Sequence, residues 1–332
     1  MTQAAALLLD KVAVVAIGRN EGDRLRRCLD SILPYCARVV YVDSGSTDGS
    51  LAMAQGRGAV VVALDPKQPF TAARARNAGL EAVLSGGGGI EFIQFVDGDC
   101  EIEAGWLAAA RSHLTRHPKV AVVFGRRRER FPEKTVYNRI CDIEWQVPAG
   151  DARYCGGDAM FRTQALREVG GYRADLIAGE EPELCVRLRQ QGWSVASLGL
   201  PMTLHDAAMT RFAQWWRRSV RCGYAFAEGA HLHGSPPERH WVKETRRAWI
   251  WGLGIPVAII GAAFVDVRLA LVLCLIYPAQ VARLYLIRRK GTPSPLLISA
   301  FQVLGKIPEA FGQIKFTWNH LLGRHGRLIE YK

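Results

Sequence analysis

Ile90-Glu91-Phe92-Ile93-Gln94-Phe95-Val96-Asp97-Gly98-Asp99-Cys100 is the stretch whose reading settles the architecture. Its apolar part, rich in aromatic and β-branched residues, reads as a short buried strand that runs straight into two carboxylates separated by one glycine. The acids therefore sit where a strand meets its loop, and both can face one ligand. Gly98 lets backbone come close to that ligand, and two hard oxygen donors suit Mg2+ or Mn2+, which take one or two carboxylates together with substrate phosphates. The same tripeptide also occurs in plain turns and calcium loops, so the surrounding pattern has to decide between them.

Working outward, residues 12–17, 38–42, 60–63, 90–96 and 120–124 read as strands, and 23–32, 50–55, 74–84 and 105–116 as helices between them. That alternation predicts an α/β domain with a doubly wound, mostly parallel sheet over about residues 11–200. Ligands bind such sheets at the carboxyl ends of the strands, so Asn20 and Glu21 after the first strand and Asp43 closing the second converge on a nucleotide pocket. The alternative is that Asp43 and Asp48 merely cap the Ser-rich turn. Arg74, Arg76 and Asn77 fall at a helix start, where cationic side chains do little for the helix dipole; they suit a diphosphate or stand as solvated surface groups. The glycine run 86–89 is a flexible connection, with no basic residue or helix start after it to hold a phosphate.

Composition divides the 332 residues in two. Residues 1–199 carry 25 Lys/Arg against 24 Asp/Glu, whereas 200–332 carry 18 against 7, so the net charge of +12 is almost entirely C-terminal. That charge flanks long apolar runs and points to an anionic membrane surface or lipid diphosphates; no fold motif for nucleic acid accompanies it, and a nucleic-acid partner is not expected. Eight scattered cysteines without a Cys-x-x-Cys pair or a zinc-spaced His cluster read as reduced thiols of a cytosolic domain. Residues 4–9 are apolar but short, lack a basic segment before them, and do not read as a signal peptide.

After the basic stretch 239–247, two apolar runs, 248–265 and 269–287, are separated by Asp266-Val267-Arg268. About 20 residues span the hydrocarbon of a bilayer, so this reads as a transmembrane hairpin, or as a re-entrant one given Gly252, Gly254 and Pro256. Lys243, Arg246 and Arg247 before it and Arg288, Arg289 and Lys290 after it place both flanks in the cytoplasm. Residues 296–322 mix apolar residues with Lys306, Lys315 and Trp318 and read as an amphipathic segment lying on the interface. The expected organisation is a catalytic domain over 1–210, a basic connecting segment over 211–247, the hairpin over 248–287 and an interfacial segment over 288–332.

Val14-Val15-Ala16-Ile17-Gly18-Arg19-Asn20-Glu21, Val42-Asp43-Ser44-Gly45-Ser46-Thr47-Asp48-Gly49-Ser50, Asp97-Gly98-Asp99, Gly156-Gly157-Asp158-Ala159-Met160-Phe161 and Gly179-Glu180-Glu181-Pro182-Glu183-Leu184 through to Gly192-Trp193 follow one another in an order and spacing that resemble family 2 glycosyltransferases of the GT-A fold. The part after residue 210 resembles membrane-associated members that build bacterial exopolysaccharide repeat units, of the succinoglycan type, on lipid carriers.

The resemblance implies roles. Arg19, Asn20, Glu21, Asp43, Arg76 and Asp97 would hold the nucleotide of a nucleotide-sugar donor, with a UDP-sugar favoured. Asp99 would ligate Mg2+ or Mn2+, Asp97 would contact the ribose or support the metal, and His205 resembles a later metal-ligand histidine, with a purely structural histidine as the alternative. Glu181 takes the place of an aspartate base; its extra methylene moves the carboxylate by about 1 Å, enough to matter in catalysis, and Glu180 is the other candidate. Gly156, Gly157, Asp158 and Trp193 would border the sugars. Gln214-Trp215-Trp216-Arg217-Arg218 resembles a Gln-x-x-Arg-Trp element with Arg218 in place of tryptophan, so Gln214, Trp215, Arg217 and Arg218 either cover a diphosphate or anchor an interfacial helix.

The expectation is an inverting, metal-dependent transferase at the bacterial inner membrane. Its catalytic domain faces the cytoplasm and adds one sugar to a polyprenyl-diphosphate-linked saccharide for exopolysaccharide or cell-envelope glycan synthesis. A polyprenyl-phosphate acceptor and a silent scaffold of a polysaccharide assembly complex are the alternatives.

Overall fold

The computed structural model describes residues 9–324 and 326. Residues 4–8 of the apolar N-terminal stretch, and the last residues of the expected interfacial segment, lie outside them. The chain divides into two compact units, one of residues up to 132 plus 144–208, the other of residues 133–143 plus those from 209 onward.

The first unit holds nine strands: β1 Val12–Gly18, β2 Arg38–Asp43, β3 Val60–Ala63, β4 Phe92–Asp97, β5 Cys100–Ile102, β6 Val120–Glu129, β7 Gly150–Ala152, β8 Ala159–Arg162 and β9 Ser194–His205. Its helices are α1 Asp23–Asp30, α2 Ser50–Gly56, α3 Ala72–Ser85 and α4 Trp106–Arg116; after α5, Val136–Glu144, which falls almost wholly in the second unit, come α6 Thr163–Glu168 and α7 Glu180–Gln190. The sheet order is β3-β2-β1-β4-β8-β6-β9-β5, with β7 on β9. Residues 12–17 of β1 are all buried, as expected of a central parallel strand covered on both faces. Phe95, Phe161 and Tyr172 meet edge to face at centroid distances of 5.4 to 6.1 Å in the core.

The parallel half matches the sequence pattern, and the chain reverses its winding between β1 and β4. Gly18 stands opposite Asp43, and Ile17 opposite Asp97, so three strand ends are level on one edge of the sheet. The other half is mixed. α4 carries the chain from β4 across to β6, and the short β8 fills the gap between them antiparallel to both. A mostly parallel sheet was expected; antiparallel insertion needs no helical crossover, so helix periodicity gives no sign of it.

The second unit is helical, with α8 Phe212–His233, α9 Val242–Trp249, α10 Ile255–Val265, α11 Val267–Cys274, α12 Ile276–Arg288, α13 Pro295–Leu304 and α14 Lys306–Leu321. A π turn over Ile250–Gly254 joins α9 and α10 into one helix, Val242–Val265, and α11 with α12 forms a second, Val267–Arg288. Both are long and apolar enough to cross a membrane, with mean hydropathies of 2.0 and 1.8. The turn between them is tighter than expected: Asp266 alone separates the helices, its Oδ1 accepting from Arg268 N at 2.8 Å as an N-cap. Tyr277 Oη donates to the Trp251 carbonyl at 2.7 Å and ties the pair together.

Against α8, α14 packs backbone to backbone. A Cβ added at Gly223 would lie 2.0 Å from the Glu309 carbonyl oxygen, and one at Gly312 would lie 2.0 Å from that of Val220. Small residues let helices approach this closely. Helix α14 buries Pro308, Ala310, Gly312 and Gln313 on one side and exposes Phe311, Ile314, Trp318 and Leu321 on the other.

Candidate active site

Six segments bring polar groups together at the end of β4. Asp97 closes β4, and both its oxygens are engaged: Arg76 Nη2 donates to Oδ1 at 3.0 Å and Arg127 Nη2 to Oδ2 at 3.1 Å. Its backbone N–H donates to Asp158 Oδ1 at 3.0 Å. Asp158 Oδ2 accepts from Thr203 Oγ1 at 2.7 Å and lies 2.8 Å from Arg127 Nη2. Arg76, from α3, is 2% exposed and reaches α7 as well, with Nη1 at 3.0 Å from Glu180 Oε1 and 2.7 Å from Glu181 Oε1. The Tyr172 ring lies 5.7 Å from its guanidinium carbon. Such a guanidinium, shared among three carboxylates, stays charged; the anions raise its pKa despite burial.

Glu181 behaves differently from an ordinary carboxylate. Burial pushes its pKa up from 4.5 to about 7, Arg76 pulls against that, and neighbouring Glu180 adds to the rise. A group poised there exchanges a proton near neutral pH, which suits a general base.

The 155–158 loop lies against this cluster. A Cβ at Gly157 would fall 2.5 Å from Arg76 Nη2 and 3.1 Å from Asp97 Oδ2, so only glycine fits at that point. Just before it, Cys155 Sγ sits 3.7 Å from Cys185 Sγ of α7, both buried. Gly156, by contrast, faces open space.

Asp99 points the other way, to His205. Its Oδ2 lies 3.2 Å from His205 Nε2, and both side chains are buried. His205 Nδ1 has no hydrogen-bond partner and lies 3.8 Å from Glu129 Oε2. That oxygen accepts from Ala207 N at 3.0 Å, and Glu129 Oε1 accepts from Phe131 N at 3.1 Å, so the carboxylate is fixed behind the ring. A histidine whose second nitrogen faces a held carboxylate is the usual arrangement behind a metal-bound imidazole. The donor atoms of Asp99, Cys100 and His205 lie within 4.8 Å of one another, and so do those of Asp97, Cys100 and Asp158. The second group already holds Arg127, whereas Asp99 with His205 fits a divalent cation.

On the β1–β2 side, Asp43 is 1% exposed and shapes its own turn. Its Oδ2 accepts from Gly45 N and Ser46 N at 2.9 and 2.7 Å, and its Oδ1 accepts from Tyr41 Oη at 2.9 Å. Asn20 Oδ1 accepts from Thr47 N at 2.8 Å, joining the two loops. Glu21 pairs with Arg24 at 2.7 Å. Arg19 and Arg74 both stand over the Phe70 ring, at 5.6 and 5.9 Å.

One expected residue lies elsewhere. Trp193 precedes β9, beside the start of β6 and hence at the opposite edge of the sheet from the acids. Its Nε1 donates to Glu168 Oε2 at 2.8 Å. Gln214, Trp215, Arg217 and Arg218 belong to α8 of the helical unit. Gln214 Oε1 accepts from Thr210 N and Arg211 N at the helix start, and Trp215 is buried against Phe301 and Phe212.

Sequence reasoning missed Arg127, Glu129 and Trp145. The Trp145 ring meets His205 edge-on at 4.8 Å and lies 5.5 Å from the Arg127 guanidinium carbon. Arg126-Arg127-Arg128-Glu129 is charged throughout and shows no apolar alternation, so nothing in it marks the alternate burial with which β6 continues beyond its apolar part.

A sheet of this topology with acids at its level strand ends defines the GT-A class of α/β transferase folds. The family model of glycosyl transferase family 2 matches residues 13–170. The chain is 27% identical over 238 residues to the pre-mycofactocin glycosyltransferases of two Mycobacterium tuberculosis strains, CDC 1551 / Oshkosh and H37Rv. The match takes in 67% of this chain and 48% of each relative, so the chain spans about half the length of these curated relatives. A mannosyltransferase from Pyrobaculum calidifontis, solved in complex with GDP-Man and Mn2+, shares the fold with a TM-score of 0.63 at 19% identity, over 96% of this chain and 91% of that one.

Proposed function

We propose that this chain is an inverting, metal-dependent glycosyltransferase that moves one sugar from a nucleoside-diphosphate sugar to a lipid-linked saccharide at the cytoplasmic face of the bacterial inner membrane. The observation that carries the chemistry is Glu181, a buried carboxylate with a pKa near 7 held on the same arginine as Asp97. Glu181, anchored through Oε1, takes the acceptor hydroxyl's proton as the acceptor oxygen bonds to the sugar's anomeric carbon and the bond to the diphosphate breaks. Asp99 and His205 would hold the divalent cation, Mg2+ or Mn2+, which would supply neutralisation of the departing diphosphate. Arg19, Asn20, Glu21 and Asp43 border the nucleotide, and Asp158 faces the sugar.

The membrane assignment rests on the two apolar helices and their basic flanks. Their exposed Phe264, Val265, Leu271 and Val272 suit lipid better than water. With Trp318 and Leu321 of α14 exposed as well, the helical unit offers an apolar surface for a lipid-borne acceptor.

Two features of the donor and acceptor follow other leads. The fold relative binds GDP-Man, so a guanosine donor stands beside the UDP-sugar favoured from sequence, and the curated relatives act on pre-mycofactocin, a different acceptor. Mass spectrometry of products formed by membranes carrying the chain, with a panel of UDP- and GDP-sugars, decides. A lipid-linked product one hexose heavier supports the reading; transfer only to added pre-mycofactocin, or none to lipid, overturns it.

A further inference from the structure

The proposed reaction needs one carboxylate of the Asp97-Gly98-Asp99 pair for the cation and leaves the other's task open. Both oxygens of Asp97 are taken by guanidinium groups, Arg76 on one side and Arg127 on the other. Arg127 arrives by an irregularity in the sheet. β6 runs beside β9 with register shifts between Phe124 and Arg126 and again between Arg126 and Arg127, after which Arg127 stands opposite Thr203 and Glu129 opposite His205. Bulges next to active sites re-aim side chains in this way. The same Nη2 that meets Asp97 at 3.1 Å meets Asp158 at 2.8 Å, and Thr203 holds the same Asp158 oxygen from the neighbouring strand. Trp145 covers this guanidinium and touches the His205 ring with its edge, so one indole borders both the arginine and the histidine.

We propose that Arg127 is a positioning residue that commits Asp97 to the arginine network and thereby leaves cation binding to Asp99 and His205. It rests on the metal-dependent reading above. Two carboxylates one residue apart would otherwise compete for one divalent ion. With Arg127 between Asp97 and Asp158, Asp97 serves as a bridge from the base helix to the 155–158 loop. Its charge is spent on arginines, and the cation meets a mixed oxygen and nitrogen donor pair. Loss of Arg127 frees an Asp97 oxygen in the donor group that shares Cys100 with Asp99 and His205, and removes a nearby positive charge; both effects tighten cation binding.

The test is Mn2+ binding to the detergent-solubilised full chain, followed by electron paramagnetic resonance of free Mn2+, with and without UDP or GDP. Asp99→Asn and His205→Ala should each weaken Mn2+ by about tenfold or more, whereas Asp97→Asn should change it by less than about threefold. Arg127→Met should tighten Mn2+ by about tenfold while lowering turnover, and Arg127→Lys, which keeps one cation for both carboxylates, should restore ordinary Mn2+ affinity. Circular dichroism and thermal melting check that each variant folds. If Arg127→Met does not fold, the Asp97→Asn comparison carries the test. Loss of Mn2+ in Asp97→Asn equal to that in Asp99→Asn overturns the proposal, as does unchanged or weaker Mn2+ binding by folded Arg127→Met. Failure of the wild-type chain to bind Mn2+ even with nucleotide overturns the metal-dependent reading itself.

Discussion

Arg76→Met tests whether this arginine serves the carboxylates or the nucleotide. The side chain is 3% exposed and bonds three acids, Asp97 at 3.0 Å, Glu180 at 3.0 Å and Glu181 at 2.7 Å. Breaking a buried pair by removing one partner costs about 3–5 kcal/mol, against a total domain stability of about 5–15 kcal/mol. The variant should therefore fold with a clearly lower melting temperature. Its catalytic signature is more specific. Arg76 is the group that opposes the burial of Glu181, whose pKa of about 7 will climb once the cation is gone. A base works in its ionised form, so at fixed neutral pH each further unit of rise removes about tenfold of the ionised fraction. The acid limb of the kcat/KM profile should move to higher pH, and much of the lost activity should return near about pH 9. Arg76→Lys should fall between, since one ammonium does not reproduce a planar fork shared by three carboxylates. An acid limb that stays in place while the donor KM rises at every pH would refute this reasoning and give Arg76 to the diphosphate, as its place at the start of a helix suggests from sequence.

Glu181→Gln should lower turnover by about 10²-fold or more with nucleotide binding intact, and Glu180→Gln should be milder; the reverse ranking in steady-state assays moves the base to Glu180. In the wild-type chain, activity should fall as pH drops through about 7, because Glu181 then takes up its proton, and Glu181→Gln should abolish that limb. Gly223→Ala places a methyl group 2.0 Å from the Glu309 carbonyl oxygen and should destabilise the helical unit by about 1–3 kcal/mol, read as earlier thermal unfolding in detergent; unchanged unfolding would mean that α8 and α14 do not meet there. A cysteine placed at Val267 should react with an impermeant thiol reagent from outside intact cells if the apolar helices span the bilayer. Protection of that cysteine favours a re-entrant hairpin, and outside labelling of a C-terminal tag would refute a cytoplasmic C-terminus.

Asp43 and Asp97 at the ends of β2 and β4 were legible because each strand is apolar, short and closed by its carboxylate, so its end can be placed to within a residue. The pairing of Asp99 with His205 was legible only through resemblance, since 106 positions of chain separate them and no local period links them. What could not be read was the network around Arg76. Its helix-start position suggests an exposed cation, yet Asp97 and Glu180 arrive from distant segments and bury it. Arg127 and Glu129 were missed for a local reason: the uniformly charged end of β6 after Gly125 looks like a solvated loop, and only the fold shows that it continues the strand. β8 escaped because Ala159–Arg162 is too short to show a period. Trp193 was drawn to the sugar by resemblance, but the turn after α7 delivers it to the far edge of the sheet.

Helix α5 leaves a practical trace. The chain passes from one compact unit to the other after residue 132, returns after 143 and leaves again after 208, so three peptide junctions join the two bodies. No single cut frees a self-contained catalytic fragment. A truncation at 208 keeps Val136–Glu144 but discards Met209, whose carbonyl accepts from Thr135 Oγ1 at 2.7 Å and whose N–H donates to Asn138 Oδ1 at 3.2 Å. Such a fragment would carry an orphaned helix with Asn138, Ile140 and Cys141 stripped of cover, prone to self-association in water. Exchange of the first unit with that of a relative would need the α5 insert matched to the recipient's helices, because this short segment belongs to the helical unit although it interrupts the sequence of the other.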